Sequence, residues 1–494
     1  MIEPNPGQRA RLQRIAFRAM TERGLLAEFA PEVLAEVDRP DPLPDALGPV
    51  RRDLRELPWS SIDNDDSRDL DQLTVAEELP DGATRVRVAV ADVDAGVAVD
   101  SAVDGHARHN TTSVYTAAQI FPMLPEQLCY DLTSLGEGED RPAQIVDMVI
   151  DASGSLSGFE LYPARVQNHA KLTYDRIGAW LGGDGSPPDR LRDVEGLAAN
   201  LRIQDGAAQR LRRARHGHGA LDLETIQGRA VLDGDQVVDL KIERGNRAKE
   251  LIEDLMIAAN EATARFLESR RVASLRRVVR SPKRWERIVD VAFDLGADLP
   301  PQPNSKALAE FLLEQRRRDP VRFPDLSLTI IKLIGSGEYI VRLPGRADVG
   351  HFGLAVRNYT HSTAPNRRFP DLITQRLVKA AIAESPPPYD AETLAALAKH
   401  CTRKEDDAGK VERQVGKSAA ALLLESRIGE RFEAVVTGAA AKGTWVRLLT
   451  LPVEGMLVEG ARGLDVGDPL EVMLVRTDAE RGFIDFRRLR RGHD

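Results

Sequence analysis

Five aspartates crowd into one short stretch of this chain, SSIDNDDSRDLDQLTV at residues 60–75, directly ahead of an apolar run. They are Asp63, Asp65, Asp66, Asp69 and Asp71. Carboxylates packed this closely raise one another's pKa unless a cation neutralises them. Because the stretch offers oxygen ligands and holds neither Cys nor His, it favours a hard divalent ion, Mg²⁺, Mn²⁺ or Ca²⁺, over softer metals.

Two other interpretations of this acidic stretch can be tested against the sequence. An EF-hand calcium loop that begins at Asp63 requires Gly at its sixth position and Glu at its twelfth. Arg68 and Thr74 stand there, so the sequence excludes a loop of that type. A solvated acidic turn stays open on the stretch alone, and the choice depends on a second motif far downstream.

That second motif is NYTHSTAPNRRFPDLITQRL at residues 358–377, in which Arg367 and Arg368 follow a Pro turn and precede a helical pattern. A guanidinium group matches phosphate oxygens bidentately and does not lose its charge, although an arginine pair alone is more often a salt-bridged surface. Together, an acidic metal loop and a remote arginine pair supply the groups for in-line phosphodiester cleavage.

The composition limits the class of protein. With 494 residues, 42% hydrophobic and 29% charged, the chain is long enough for two to four domains with sizeable cores. A net charge of -9 excludes a uniformly basic nucleic-acid-binding surface but allows a local basic channel. The two distant cysteines fit a reducing cytoplasm, and no stretch resembles a signal peptide or a membrane span. We expect a cytoplasmic protein that does not associate with membranes.

The elements that must position these motifs follow from the apolar spacing. Two short helices are predicted within residues 8–37, as a helix-turn-helix unit or, favoured here, a docking cap, followed by a Pro-rich linker at 38–49. Strands are predicted within 84–93 and 143–172, and a long amphipathic helix within 250–272. Helices are expected to dominate from there to about residue 425, apart from an extended segment at 338–358.

Near residue 430 the pattern changes to short alternating runs separated by Gly and Pro turns, as in RFEAVVTGAAAKGTWVRLLTLPVEGMLVEG. This pattern is typical of a small closed β-barrel of the OB type. Phe432 and Trp445 lie on two of these runs, and the sequence leaves open whether they contact nucleic acid or pack in the core.

Five motifs occur in the order SIDNDDSRDLDQL, SVYTAAQIFPMLPEQLCYDLTSL, GALDLE, LIEDLMIAANE and STAPNRRFPDL. Together they resemble the ribonuclease II and ribonuclease R (RNB) family of processive 3′-to-5′ exoribonucleases, from about residue 50 to the C-terminus. The resemblance implies an α+β fold. It comprises an RNB-type catalytic domain at 49–428, with sheet and helices around an RNA channel, an S1-type OB barrel at 429–494, and a small helical N-terminal domain at 1–48.

The resemblance also implies a reaction. We expect Mg²⁺, with Mn²⁺ as a possible substitute, at the base of the channel, and hydrolysis that releases nucleoside 5′-monophosphates. The expected partner is single-stranded RNA or RNA with a 3′ overhang, bound by a monomer. An RNA-binding adaptor that has lost catalysis and a DNA exonuclease are the rival hypotheses.

The family's metal-binding and catalytic positions carry across residue by residue. Its aspartate motif falls on Asp63, Asp69 and Asp71 as metal ligands, with Asp71 also catalytic. Gln72 occupies the fourth acidic position, a departure that leaves a second metal in question. Arg367 corresponds to the catalytic arginine that stabilises the scissile phosphate.

Five further positions are expected to bind substrate. Tyr115 matches one jaw of an aromatic clamp, and the opposite jaw falls on Leu223, which stacks less well. Tyr174 matches a tyrosine that holds the last nucleotide, and its alternative is a core aromatic. Glu253 is expected to face the terminal ribose, or else to be an ordinary helix-surface acid. Arg368 is expected to help anchor the strand.

The RNA path also requires cations, because phosphate charge must be offset. Four basic runs are candidates, each with a solvated face as the alternative. They are residues 210–218, 269–285, 314–319 and 487–492.

Overall fold

The computed structural model describes residues 7–39, 52–226, 228–242, 244–440 and 443–489. Residues 40–49 of the predicted linker and 490–492 of the last basic run therefore lie outside the described residues. The first part of the chain contains α1 (Gln8–Glu22), α2 (Pro31–Val37), β1 (Ser60–Asp63), β2 (Gln72–Glu78), β3 (Thr84–Ala91), α3 (Ala102–Asn110), β4 (Val114–Tyr115), β5 (Ile120–Phe121), β6 (Asp140–Ile150), β7 (Leu156–Gln167) and β8 (Ala170–Thr173).

The middle of the chain is mainly helical. It contains α4 (Tyr174–Gly182), α5 (Arg190–Asp193), α6 (Leu197–Gly217), β9 (Gly228–Asp233), β10 (Gln236–Ile242), α7 (Arg247–Ser269), β11 (Ser274–Val278), α8 (Trp285–Asp294), α9 (Ser305–Arg318), α10 (Phe323–Ile334), β12 (Glu338–Arg342), α11 (Phe369–Ile382) and α12 (Ala391–Leu424). The last strands are β13 (Arg431–Ala440), β14 (Gly443–Leu448), β15 (Glu454–Glu459), β16 (Pro469–Asp478) and β17 (Phe483–Arg488).

A six-stranded sheet in the order β7-β6-β3-β2-β1-β8 carries the aspartate-rich stretch. Its neighbours are antiparallel except β1 and β8, which run parallel. Valines at alternate positions of β3, such as Val86, Val88 and Val90, are buried, as expected of β-branched residues on a pleated surface. Because β1 ends at Asp63 and β2 begins at Gln72, residues 64–71 form a loop at one end of this sheet.

Helix α7 packs its apolar stripe against this sheet, as the amphipathic spacing predicts. Leu251, Leu255 and Ala262 are fully buried, and each leucine contributes roughly 1.5–3 kcal/mol by leaving water. The helix begins after Asn246, whose side-chain oxygen accepts hydrogen bonds from the backbone N–H groups of Ala248 and Lys249. The predicted helix is confirmed, and it starts three residues earlier than the apolar pattern indicates.

The two N-terminal helices dock on different cores. Leu12 and Met20 of α1 pack in one cluster with Val411 of α12 and residues of the C-terminal barrel. Val33 of α2 joins the cluster built around the sheet. This separate packing favours the docking cap over a helix-turn-helix unit.

Strand β11 is absent from the sequence prediction, which placed only helices between 272 and 338. It pairs antiparallel with β12 and lies inside the basic run at 269–285. Arg276 of this run is fully buried and donates hydrogen bonds to Ser274 Oγ at 2.8 Å and the Ala264 carbonyl oxygen at 2.9 Å. That arginine lies neither in an RNA path nor on a solvated face, because it is a structural donor inside the fold.

The C-terminal strands form a closed barrel in the order β13-β14-β15-β17-β16, which confirms the predicted OB-type barrel. Phe432 is buried, with its ring 6.4 Å from that of Phe486 in an edge-to-face arrangement. Phe432 is therefore a core residue, whereas Trp445 is partly exposed. Within the described ranges, no helix is long and apolar enough to cross a bilayer.

Candidate active site

The aspartate loop, residues 64–71, is hydrogen-bonded to the segment between β5 and β6. Ser134 Oγ donates to the Arg68 carbonyl oxygen at 2.7 Å and accepts from the Leu70 N–H at 3.1 Å. The Leu135 N–H donates to the Leu70 carbonyl oxygen at 2.9 Å. These bonds fix the backbone on both sides of Asp69. The backbone of the loop is therefore held in place by Ser134 and Leu135, without a contact from the Asp69 carboxylate.

Asp71 lies at the centre of the site and is 3% exposed. Its Oδ1 accepts a hydrogen bond from the Asn366 backbone N–H at 2.9 Å, and its Oδ2 accepts one from Arg367 Nε at 3.2 Å. The structure thus brings together the two predicted catalytic residues, which are 296 positions apart in the chain. Arg367 remains 43% exposed along its side chain, so its outer guanidinium nitrogens can reach a ligand.

The electrostatics show that the acidic groups interact. Burial raises the pKa of Asp71 to about 7, against the lowering effect of Arg367, and the charge of Asp69 raises it further. Burial likewise raises the pKa of Asp69, to which the charge of Asp63 adds. The charge of Asp63 therefore disfavours the charged form of Asp69, and the charge of Asp69 that of Asp71, effects that a bound cation would reverse.

The loop that carries Arg367 is held from several sides. Gln72 Nε2 donates to the Thr363 carbonyl oxygen, and Thr133 Oγ1 donates to Asn366 Oδ1 at 2.6 Å. The Ser113 N–H donates to the Arg367 carbonyl oxygen at 3.0 Å. These bonds attach the arginine loop to β2 and to the segment before β4, so Arg367 is presented by a fixed backbone.

Arg368, which is expected to help anchor the strand, is engaged with the helix that follows it. Its Nη2 donates to Asp371 Oδ1 at 2.7 Å, and the same oxygen accepts the Ala364 N–H at 2.9 Å. Asp371 is fully buried at the start of α11. Through Asp371, Arg368 therefore connects the loop that carries Arg367 to the start of α11.

Two predicted tyrosines lie beside the acidic cluster. The Tyr115 hydroxyl donates to Asp69 Oδ2 at 2.8 Å, and the ring is 41% exposed. Tyr174 begins α4 directly after Thr173, which is the β8 partner of Asp63. Burial raises the pKa of both hydroxyls, and the charges of Asp69 and Asp63 raise that of Tyr115 and of Tyr174, respectively. The cluster therefore has one exposed aromatic face at Tyr115 and a more buried one at Tyr174.

Leu223 and Glu253 are the two remaining residues that are predicted to bind substrate. Leu223 is partly buried against the small core of α8, α9 and α10, and its role as a jaw opposite Tyr115 stays a prediction. Glu253 is exposed on α7, while the adjacent Asp254 is 1% exposed and accepts a hydrogen bond from Arg215. The basic run at 210–218 is thus partly engaged in an internal ion pair.

The donor chemistry of the site fits a hard divalent cation, although the side chains do not enclose one as they stand. In the described part of the chain, no three Asp, Glu, His or Cys side chains are grouped to hold a metal. Asp63 Oδ1 accepts from the Asn64 N–H at 2.7 Å and from Ser67 Oγ at 2.8 Å. The donors are carboxylates only, and burial of Asp71 beside Asp69 requires a positive counter-charge. Asp63, Asp69 and Asp71 are the groups that would hold the ion.

Sequence reasoning missed several supporting groups. Thr133, Ser134 and the backbone N–H of Asn366 contact the catalytic loops without any sequence signal, because small hydroxyls and backbone groups are common everywhere. Gln72 was identified only as a departure from the family pattern, and the structure shows its amide bound to Thr363.

The chain combines a mixed sheet that carries an acidic loop, an arginine loop held by hydrogen bonds, and a C-terminal OB barrel. This combination is typical of proteins that process nucleic acids. Residues 51–384 match the family model of the RNB domain, and residues 430–489 match that of the RNase II-type exonuclease C-terminal S1 domain. This chain therefore belongs to the RNB-domain family. The enzymes of the family are hydrolytic exoribonucleases that generally depend on a divalent metal.

Individual relatives agree with this assignment. Ribonuclease R of Vibrio parahaemolyticus is 31% identical over 424 residues, which cover 82% of this chain and 50% of that protein. The chain thus spans about half the length of the first curated relatives it matches. RNase R of Mycoplasma genitalium in complex with double-stranded RNA has the same fold, with a TM-score of 0.85 and 22% identity over 97% of this chain and 83% of that chain. Yeast Ssd1, a pseudonuclease, has a TM-score of 0.69 and 18% identity over 95% of this chain and 57% of that chain.

Proposed function

We propose that this chain is a hydrolytic exoribonuclease that degrades RNA processively from its 3′ end and releases nucleoside 5′-monophosphates. The observation that carries the proposal is the contact between Asp71 and the half-exposed Arg367 inside an RNB-type domain. Family membership and the similarity to ribonuclease R support the substrate class.

In this mechanism Arg367 binds the scissile phosphate. Asp71 accepts from Nε, which leaves the outer nitrogens of the guanidinium directed to the ligand side, where they offset the charge that develops on the phosphate oxygens. A divalent ion held by Asp63, Asp69 and Asp71, when bound, supplies activation of the attacking water. Because hydrogen bonds hold the backbone of the loop that carries Arg367, the guanidinium is already in position before the reaction begins.

The tyrosines position the 3′ end of the strand. Tyr115 presents an exposed ring on which a base stacks regardless of its identity, as a processive enzyme requires. Tyr174 lies beside Asp63 and is suited to hold the last nucleotide. Glu253, exposed on the neighbouring helix α7, remains the proposed contact to the terminal ribose.

The proposal also names the ion, the form of the RNA substrate, the oligomeric state and the domain division. Mg²⁺ is the proposed ion, with Mn²⁺ as a substitute, because hard oxygen ligands favour both. Single-stranded RNA and RNA with a 3′ overhang are the proposed substrates of a monomer that acts in the cytoplasm. The division into residues 1–48, 49–428 and 429–494 stays a prediction, which the position of the barrel after α12 supports.

The test uses uniformly labelled single-stranded RNA with Mg²⁺, and in parallel with EDTA, followed by separation of the products against nucleoside 5′-monophosphate standards. We expect mononucleotide release that EDTA stops. Asp71→Asn is the inactive variant, and Asp66→Asn is the matched control in the same loop, since Asp66 is exposed and paired with Arg229. Absence of released mononucleotide, or equal loss in both variants, contradicts the proposal. A DNA oligomer of the same sequence tests the rival DNA substrate.

An RNA-binding adaptor is a second candidate, because Gln72 contributes no charge to the cluster and its amide is already bound to Thr363. Yeast Ssd1 indicates that this fold also occurs in a protein described as a pseudonuclease. RNA binding without mononucleotide release, in the presence of either Mg²⁺ or Mn²⁺, would establish the adaptor.

A further inference from the structure

A second concave site lies between α6 and α7, outside the proposed catalytic centre. We call it the α6–α7 cavity, with a volume of about 730 Å³. Its walls come from the two helices, from the turn before β7, and from the segment 349–358. The volume falls within the range of small-molecule sites in proteins.

The sheet separates this cavity from the aspartates. Gln72, next to Asp71, is the β3 partner of Val90, which in turn pairs with Gln144 of β6. Leu156 of the cavity wall pairs with Ile150, six positions further along β6. At about 3.3 Å per residue, the Leu156 wall of the cavity lies about 20 Å along the strands from the level of Gln72, towards the opposite end of the sheet.

The charged lining combines an excess of arginine with two acids. Arg215 forms an ion pair with Asp254, and Arg265 lies near Glu261, while Arg357 and His218 also line the cavity. Arg357 is exposed and, within the described residues, has neither a hydrogen bond nor an ion pair. Arg265 donates to the Leu156 carbonyl oxygen through Nη1 at 3.2 Å and lies 3.8 Å from Glu261.

The acids offer acceptor atoms in the same space. Asp254 is 1% exposed, and its Oδ2 has no hydrogen-bond partner among the described residues, although Arg212 Nη1 lies 3.8 Å from it. A buried carboxylate oxygen without a donor is costly, so a ligand that donates to it is favoured. Glu261 adds a second acceptor within reach of the same arginines, since Arg265 and Arg215 both act on its charge.

We propose that the α6–α7 cavity binds a nucleoside 5′-monophosphate at a site separate from the catalytic centre. The phosphate pairs with Arg357 and Arg265, whose guanidinium forks match its oxygens. The ribose hydroxyls donate to Asp254 and Glu261. His351 and Phe352 in the cavity wall supply the surface against which the base packs. A site of this type places the product class of the proposed reaction where it can act on α7, the helix that also carries Glu253.

Isothermal titration calorimetry of the full chain with AMP, in EDTA, tests the site without turnover. The metal-free buffer removes the cation-dependent contribution of the catalytic centre. We expect one AMP site, with affinity reduced about tenfold or more in Arg357→Ala and in Glu261→Gln, because each removes a charge-assisted contact. Adenosine should bind far more weakly than AMP, and inorganic phosphate should compete with AMP.

Two control variants make the outcome decisive. Arg346→Ala removes an exposed arginine from the turn after β12, outside the cavity lining, and should leave AMP binding unchanged. Arg367→Ala removes the proposed phosphate contact of the catalytic centre, so it should abolish any metal-free AMP binding there and leave binding in the α6–α7 cavity unchanged. No AMP binding in EDTA, or binding that Arg367→Ala abolishes and Arg357→Ala does not, overturns the proposal. Because the assay needs no RNA hydrolysis, failure of the exoribonuclease function would leave this result readable.

Discussion

Asp71 and Asp254 are both buried aspartates that accept a hydrogen bond from an arginine, Arg367 and Arg215 respectively. The arginines differ in exposure, at 43% of the side chain for Arg367 and 14% for Arg215. A buried guanidinium has its charge engaged within the pair, whereas a half-exposed one can also bind an anion. The same pair of residue types is therefore proposed to act in catalysis in one place, whereas in the other it joins α6 to α7 at the wall of the α6–α7 cavity.

The largest expected effect is on the rate of RNA hydrolysis, which should depend on the Asp71–Arg367 pair and not on the Asp254–Arg215 pair. Asp71→Asn should lower the rate of RNA hydrolysis about 10³-fold or more while RNA affinity is retained, because charge is lost at the metal and beside Arg367. Asp254→Asn should keep the rate within about threefold, as a substitution remote from the reacting groups. Single-turnover kinetics and filter binding measure both quantities. A comparable loss of rate in Asp254→Asn would remove the functional distinction between the pairs.

The next effect concerns stability against pH in metal-free protein. The folded-state pKa values, about 7 for Asp71 and about 6 for Asp254, exceed the ordinary value of 3.8. The folded state then holds each proton more tightly than the unfolded chain, so the free energy of unfolding falls as pH rises from about 4 to these values. The losses are roughly 4 and 3 kcal/mol.

Chemical denaturation at several pH values checks this. Asp71→Asn should flatten the dependence up to pH about 7, and Asp254→Asn only up to about 6. A wild-type profile that rises across this window would show that the arginines outweigh burial at both positions.

A smaller effect is expected at the support of the arginine loop. Gln72→Ala removes the donor to the Thr363 carbonyl oxygen, so the loop that carries Arg367 gains freedom. The rate should fall about tenfold with little change in RNA affinity, since loss of one hydrogen bond is worth about 1 kcal/mol. Gln72→Glu is a second variant, which keeps the length of the side chain but loses the donor and adds a carboxylate at the fourth acidic position. Full activity in Gln72→Glu would show that this hydrogen bond does not position Arg367.

The smallest effect is expected at the Tyr115 hydroxyl. Tyr115→Phe removes the hydrogen bond to Asp69 and keeps the ring for stacking, so the rate should change less than about threefold. Tyr115→Ala removes the ring as well and should weaken RNA binding by about 1–3 kcal/mol, the value of one stacked base. Product ladders and binding titrations of the two variants separate the hydroxyl from the ring. Equal effects would assign the role to the hydroxyl.

The local sequence was sufficient to predict those features in which the residue type itself determines the chemistry. Crowded carboxylates favour a cation, arginine in a turn suits an anion, and alternating apolar runs are typical of a small barrel, so an acidic loop and OB-type strands could be predicted. The order of five motifs identified the family, which the RNB and S1 models confirm.

Tertiary structure decided which predicted groups meet. The partner of Arg368 is Asp371, the partner of Tyr115 is Asp69, and Leu223 belongs to a different core. Such pairings depend on which strand ends and loops fold to the same place, and on backbone donors such as the Asn366 N–H that every sequence offers equally. Residue type therefore determined the chemistry available to this chain, and only the packing of remote segments determined which carboxylate and which arginine share one pocket.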